Sequence, residues 1–191
     1  MIELLVVSGI FVLITGLILV NNNRFGGVIL LENLAYDIAL SIRQAQVYGI
    51  SVRQYGTGGF SAGYGMHFQV SSPTSYVLFA DAVSQNGLYD GCPDVGSCEL
   101  VESRDIGRGY AIMGLCSPAG ADPETCTAVS SIDVLFKRPE PDACISSNGA
   151  PAVNDNYVCT GGRESARITL ESPRGDRRSV IVEVSGQIAT E

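Results

Sequence analysis

Hydrophobic and polar positions fall into three regimes along the chain. From Leu4 to Val20 the sequence runs without a charge, broken only by the hydroxyls of Ser8 and Thr15, and one carboxylate, Glu3, stands at its mouth. A run of this length and uniformity suits the hydrocarbon layer of a bilayer, which takes about 20 residues of helix. A carboxylate in that layer costs roughly 2.5 to 3.5 kcal/mol, so Glu3 needs a partner. From Val28 the pattern turns periodic. Leu31, Leu34, Ala35, Ile38, Ile42 and Ala45 recur at helical spacing, with Asn33, Asp37, Ser41 and Gln44 on another face. This predicts an amphipathic helix over 28–53, ending near Arg53. Tyr36, Leu40 and Val47 form a further apolar face, which is either the margin of a broad core stripe or a contact for other subunits.

Between the two regimes lie Asn21, Asn22, Asn23, Arg24, Phe25, Gly26 and Gly27. Asparagine side chains compete for their own backbone, and each glycine costs about 1 kcal/mol relative to alanine inside a helix. The segment therefore reads either as a loop between two helices or as the weak point of one long helix, with 1–27 as the span and its break. In an assembled state it is expected to be extended or partly unwound.

Past Arg53 the third regime, 54–191, is rich in Gly, Ser, Tyr and Thr, with short β-like runs between turn signals. The runs are AGYGMHFQV, SYVLFAD, GYAIMGL, SIDVLFKR, ARITLE and SVIVEV, the last two joined by SPRGDRR. In SIDVLFKR, Ile132, Val134 and Phe136 alternate with their neighbours, as a sheet with one covered face requires. The predicted fold is α+β: a long N-terminal helix packed on an antiparallel β head, each covering the other's apolar face.

Charge and cysteine content sharpen this picture. The first 53 residues carry three carboxylates against three arginines, so the net charge of −8 belongs to the head. An acidic head disfavours nucleic acid as a direct partner. The six cysteines stand as near neighbours, Cys92 and Cys98, Cys116 and Cys126, Cys144 and Cys159, each pair flanking a loop with Pro, Gly or Asn. No pair has zinc-site spacing and His67 is the single histidine, so sequential disulfides in an oxidising compartment are expected, and no metal or cofactor. No Lys or Arg precedes Arg24 and no small-residue cleavage pattern follows Val20, so the apolar run is expected to stay in the mature protein.

Three features suggest other chemistry. Asp81 to Gly91 has the Asp, Asn and Gly of a calcium loop, but Val83 and Gln85 stand where strong oxygen ligands are needed, and a turn is expected. Arg174, Gly175 and Asp176 spell an adhesion tripeptide where a hairpin must reverse. His67 lies in a strand with no nucleophile at a known spacing, and nothing assembles a catalytic constellation.

The stretch IELLVVSGIFVLITGLIL resembles the N-terminal segment of type IV pilins and type II secretion pseudopilins. LENLAYDIALSIRQAQVYGISVR is similar to the continuation in their H-type, FimT-like branch, and SVIVEVSGQIATE to that branch's last strands. The resemblance implies the pilin fold and a structural subunit, held in the inner membrane and processed by a prepilin peptidase. Pilus assembly machinery would then polymerise it into a helical homopolymer at the cell surface. It implies that Glu3 pairs with the N-terminal amine of a neighbouring subunit, an amine that the family usually methylates. The family places that glutamate fifth and follows a leader with phenylalanine; here it stands third. Arg24, inside the weak segment, would find a carboxylate on a neighbour. The alternatives are a minor pseudopilin of a secretion piston, or a single-span protein holding a binding domain outside the membrane.

Overall fold

The computed structural model describes residues 2–191 except 52, 57–59, 94–96, 123–124 and 161, and gives no side-chain placement for 20–25. The chain opens with a single helix, α1 (Ile2–Ile50), of 49 residues. It passes without interruption through 21–27, so the break expected there is not a feature of the single chain. The physical reason is cooperativity. Once both flanks are helical, nucleation is behind the chain, and opening seven residues forfeits hydrogen bonds that nothing in a lone chain replaces. The Tyr110 hydroxyl also braces the segment, donating to the Gly27 carbonyl at 3.0 Å.

Among the described residues the head has ten strands: β1 (Gly63–Gln69), β2 (Ser75–Asp81), β3 (Leu100–Asp105), β4 (Ala111–Cys116), β5 (Ala128–Val129), β6 (Ser131–Phe136), β7 (Ala143–Ser147), β8 (Ser165–Glu171), β9 (Arg177–Glu183) and β10 (Ile188–Thr190). They form two antiparallel sheets, ordered β3-β2-β1-β6-β7 and β10-β9-β8-β4-β5, where the sequence suggested one. Together with α1 this is an α+β fold.

The second half of α1 is the shared cover. Leu31, Ala35, Ile38, Ile42 and Ala45, one stripe of the helix, are fully buried. They pack with Met66 and Phe68 of β1, Ile132, Val134 and Phe136 of β6, Ile168 and Leu170 of β8, and Val180 and Val182 of β9. Burying each such aliphatic or aromatic side chain is worth about 1.5 to 3 kcal/mol, so this core holds both sheets to one helix. Polar contacts fix the orientation. Arg104 of edge strand β3 donates to Ser41 and Gln44 on α1, and Gln46 donates to the carbonyls of Pro141 at 2.9 Å and Gly186 at 3.2 Å. The outer face of the first sheet is covered as well: Phe79 and Leu135 pack with Ala152 and Val153 from the loop after β7. That second cover explains why β6 is buried at nearly every position rather than alternating.

Candidate assembly surface

The first half of α1 touches nothing in the head. Every side chain from Ile2 to Leu19 lies outside the core, and this is the one helix among the described residues long and apolar enough to cross a membrane. At 1.5 Å per residue those 18 residues span about 27 Å, close to the ~30 Å hydrocarbon layer. Glu3 lies exposed in the first turn and has no ion-pair partner among the described residues. Met1 and the side chains of Asn21, Asn22, Asn23 and Arg24 lie outside the described residues, so no partner for Arg24 is visible. Gly26 and Gly27 are described, and both are helical.

The apolar exposure continues up the helix. Tyr36, Leu40 and Val47 are 50%, 66% and 50% exposed, so they are not the margin of the core stripe. With Ile29, 42% exposed, they form a row that faces away from both sheets and follows the bare first half. Among the described side chains, apolar exposure on α1 thus stands on both sides of 20–25, and in the upper half its row is interrupted by Asn33 and Arg43.

The three disulfides are Cys92–Cys98, Cys116–Cys126 and Cys144–Cys159, closing loops of sequence separation 6, 10 and 15. Each ties down an irregular segment of the head surface. The middle loop has a second anchor that sequence reading missed. Arg167 of β8 is 1% exposed and donates to the carbonyls of Ala119, Gly120 and Ala121, while its remaining nitrogen meets Glu191 at 2.9 Å. A buried cation is expensive without such partners, and nothing in the run ARITLE distinguishes this arginine from a surface one.

The Asp81–Gly91 segment is a turn held by carboxylates. Asp81, fully buried, accepts from the backbone of Asn86 at 3.1 Å and Gly87 at 2.9 Å. Glu99, equally buried, accepts from Val83 at 3.0 Å and Asp90 at 2.9 Å. Desolvation pushes Asp81 up to about 6 and raises Glu99 too, only partly offset by these amide donors. Burial and the nearby Asp81 raise the Tyr157 hydroxyl. The oxygens a cation would need are already spent on amides, and no cluster of three metal-binding side chains occurs among the described residues. His67 sits 2.7 Å from Asp133, which also accepts from the Tyr89 amide at 3.2 Å. No hydroxyl or thiol nucleophile is bonded to this pair in the described residues. Arg174, Gly175 and Asp176 lie in the β8–β9 turn, where Gly175 takes φ +86°.

Comparison with known proteins finds no family model, no curated protein and no solved structure that matches the chain.

Proposed function

We propose that this chain is a structural subunit that polymerises through α1 into an extracellular filament of the type IV pilus kind. The observation that carries the reading is the uncovered apolar surface at two levels of one helix, the bare span of Ile2 to Leu19 and the outer row of Tyr36, Leu40 and Val47. A single-span anchor accounts for the lower level and leaves the upper one facing water. A bundle of neighbouring copies covers both. The N-terminal resemblance supplies the kind of assembly: the subunit waits in the cytoplasmic membrane, is processed by a prepilin peptidase and is raised into a filament by assembly machinery. Glu3 would meet a neighbour's terminal amine in the filament core, where pairing offsets the desolvation of both charges and fixes axial register. The acidic, disulfide-tied head would tile the filament surface.

The test is Glu3→Ala. The head packs only on the second half of α1, so the variant is expected to insert in the membrane with a folded head and lose sheared surface fibres. Fibre yield equal to the wild type would defeat the proposal. A monomer in detergent that no fibre contains would favour the anchored binding domain instead.

A further inference from the structure

We propose that contacting copies of the chain join through Arg43 of one copy and Asp37 of the next, with the second copy raised by about 9 Å along the helix axis. The inference rests on the filament reading and names a contact within it. The charged residues of α1 from Gly26 to Ile50 are Glu32, Asp37 and Arg43. All three are exposed, and none is in an ion pair among the described residues. Arg43 donates to the side-chain oxygen of Gln46 at 3.1 Å, a neutral partner that leaves its charge uncompensated. Asp37 stands on the wall of a groove of about 260 Å³ between α1 and the turn 106–110 that follows β3. Asp105 and Arg108 share that wall, so the groove holds two carboxylates against one guanidinium.

Position around the helix selects the contact. At about 100° per residue, Asp37 and Arg43 lie roughly 60° to either side of Leu40, the most exposed member of the outer row. They are six residues apart and so cannot meet within one chain, where helical neighbours are three or four residues apart. Glu32 falls on the flank of Arg43, which leaves Asp37 as the carboxylate of this half of α1 on the opposite flank. Spans that share one membrane set all copies parallel. Parallel helices that meet by unlike flanks then bring the cation of one onto the acidic groove of the next. The two side chains come level when the second copy is raised by six residues, about 9 Å at 1.5 Å each. The same step brings Ile29 of the raised copy close to the level of Tyr36, and Leu40 close to that of Val47, because both pairs are seven residues apart. Apolar side chains thus meet apolar ones, with opposite charges beside the seam, the arrangement that sets partner and register between packed helices. A contact between unlike flanks with an axial step cannot close into a ring, and it continues as an open helical array.

Charge reversal tests the pairing in the full chain, with sheared fibre yield as the readout. Asp37→Arg and Arg43→Asp are each expected to lower the yield at least about tenfold, because like charges replace an attractive pair. The membrane-inserted subunit should keep its three disulfides and its unfolding midpoint, since both residues are exposed in the single chain. The double variant Asp37→Arg/Arg43→Asp should return the yield to near that of the wild type. The two residues cannot meet within one chain, so this recovery reports a contact between copies. Should either reversal disturb the head, Asp37→Asn and Arg43→Gln decide, each with a smaller loss expected and unchanged yield in both counting against the pairing. Wild-type yield from both reversals, or no recovery in the double variant, overturns the pairing. The filament reading survives that result if Glu3→Ala still abolishes fibres. A wild-type chain that forms no fibres defeats that reading and this contact with it.

Discussion

At the scale of single residues, the head keeps two carboxylates where water cannot reach them, and this has a direction in pH. Asp81 and Glu99 hold the turn after β2 through the backbone amides of Val83, Asn86, Gly87 and Asp90, and no cation stands among their partners in the described residues. Desolvation outweighs the amides, raising Asp81 from its ordinary 3.8 to about 6. The folded state therefore holds this proton more tightly than the unfolded chain. The stabilisation is fully present below about 3.8, falls as pH rises towards 6 and is gone above it, on the order of 3 kcal/mol for a shift of this size. Urea unfolding of the detergent-solubilised chain is expected to show greater stability at pH 4 than at pH 7, with Asp81→Asn flattening the difference. A wild type that gains stability over that range relative to Asp81→Asn would contradict the assignment. The same pair of acids shows why a calcium-like pattern failed to be one. The spacing of Asp, Asn and Gly suits a tight turn, and a tight turn needs carboxylates for its amides as readily as a cation does.

At the scale of elements, α1 meets β6 so closely that glycine is required at one position. A Cβ on Gly49 would overlap the Phe136 carbonyl oxygen and sit 2.9 Å from the Phe136 Cβ, both held in a sheet. Helix propensity alone favours Gly49→Ala by about 1 kcal/mol. Overpacking against a backbone that cannot shift costs about 1 to 3 kcal/mol or more, so the substitution is expected to destabilise the head despite improving the helix. Thermal unfolding decides between the two: a higher midpoint would mean that the strand gives way. The elements also mark the limit of what the sequence discloses. Both halves of α1 are legible, because 3.6-residue periodicity and an uncharged apolar run leave few alternatives. So are β1, β2, β4, β6, β8 and β9, which carry aromatic and branched residues. Strand β3, LVESRD, is an edge with Glu102 and Asp105 in water and Arg104 turned to α1, and β7, ACISS, is small and buried on both faces, so neither shows a strand's usual alternation. The division into two sheets follows from pairings between distant segments, β1 with β6 and β4 with β8, which no local pattern encodes. Of the assembly surface, Glu3 and the outer row of Tyr36, Leu40 and Val47 are readable in sequence; the buried Arg167 that anchors the middle disulfide loop depends on contacts between elements far apart in the chain.

At the scale of the whole molecule, the proposed filament makes two demands on α1 that the single chain does not meet. The first is length. Residues 21–27 are helical in isolation, but extended residues advance about 3.3 Å against 1.5 Å, so unwinding seven of them lengthens the subunit by on the order of 10 Å. Neighbours that stack their spans while their heads tile outside can supply what the lone chain lacks, and the three asparagines and two glycines make this the cheapest place to yield. A filament map is expected to show residues 21–27 opened between helical flanks; continuous helical hydrogen bonding from Val20 through Val28 would rule it out. The second demand is cover for the outer row, and it separates folding from assembly at two positions on opposite sides of one helix turn. Ile38 is fully buried against both sheets, whereas Leu40 is 66% exposed on the opposite side of the same helix turn. A charge at Ile38 has no partner in the core and is expected to unfold the head, since burying it unpaired costs several kcal/mol. A charge at Leu40 remains in water in the single chain, so Leu40→Glu should change head stability by no more than about 0.5 kcal/mol. In a bundle of neighbouring helices the same carboxylate would be buried, and fibres should be lost from a subunit that is folded, oxidised and inserted. Shearing assays on the two variants, with unfolding measured in parallel, check both halves of the argument. If Leu40→Glu assembles normally, the outer row faces solvent in the filament and some other surface of the head joins the subunits.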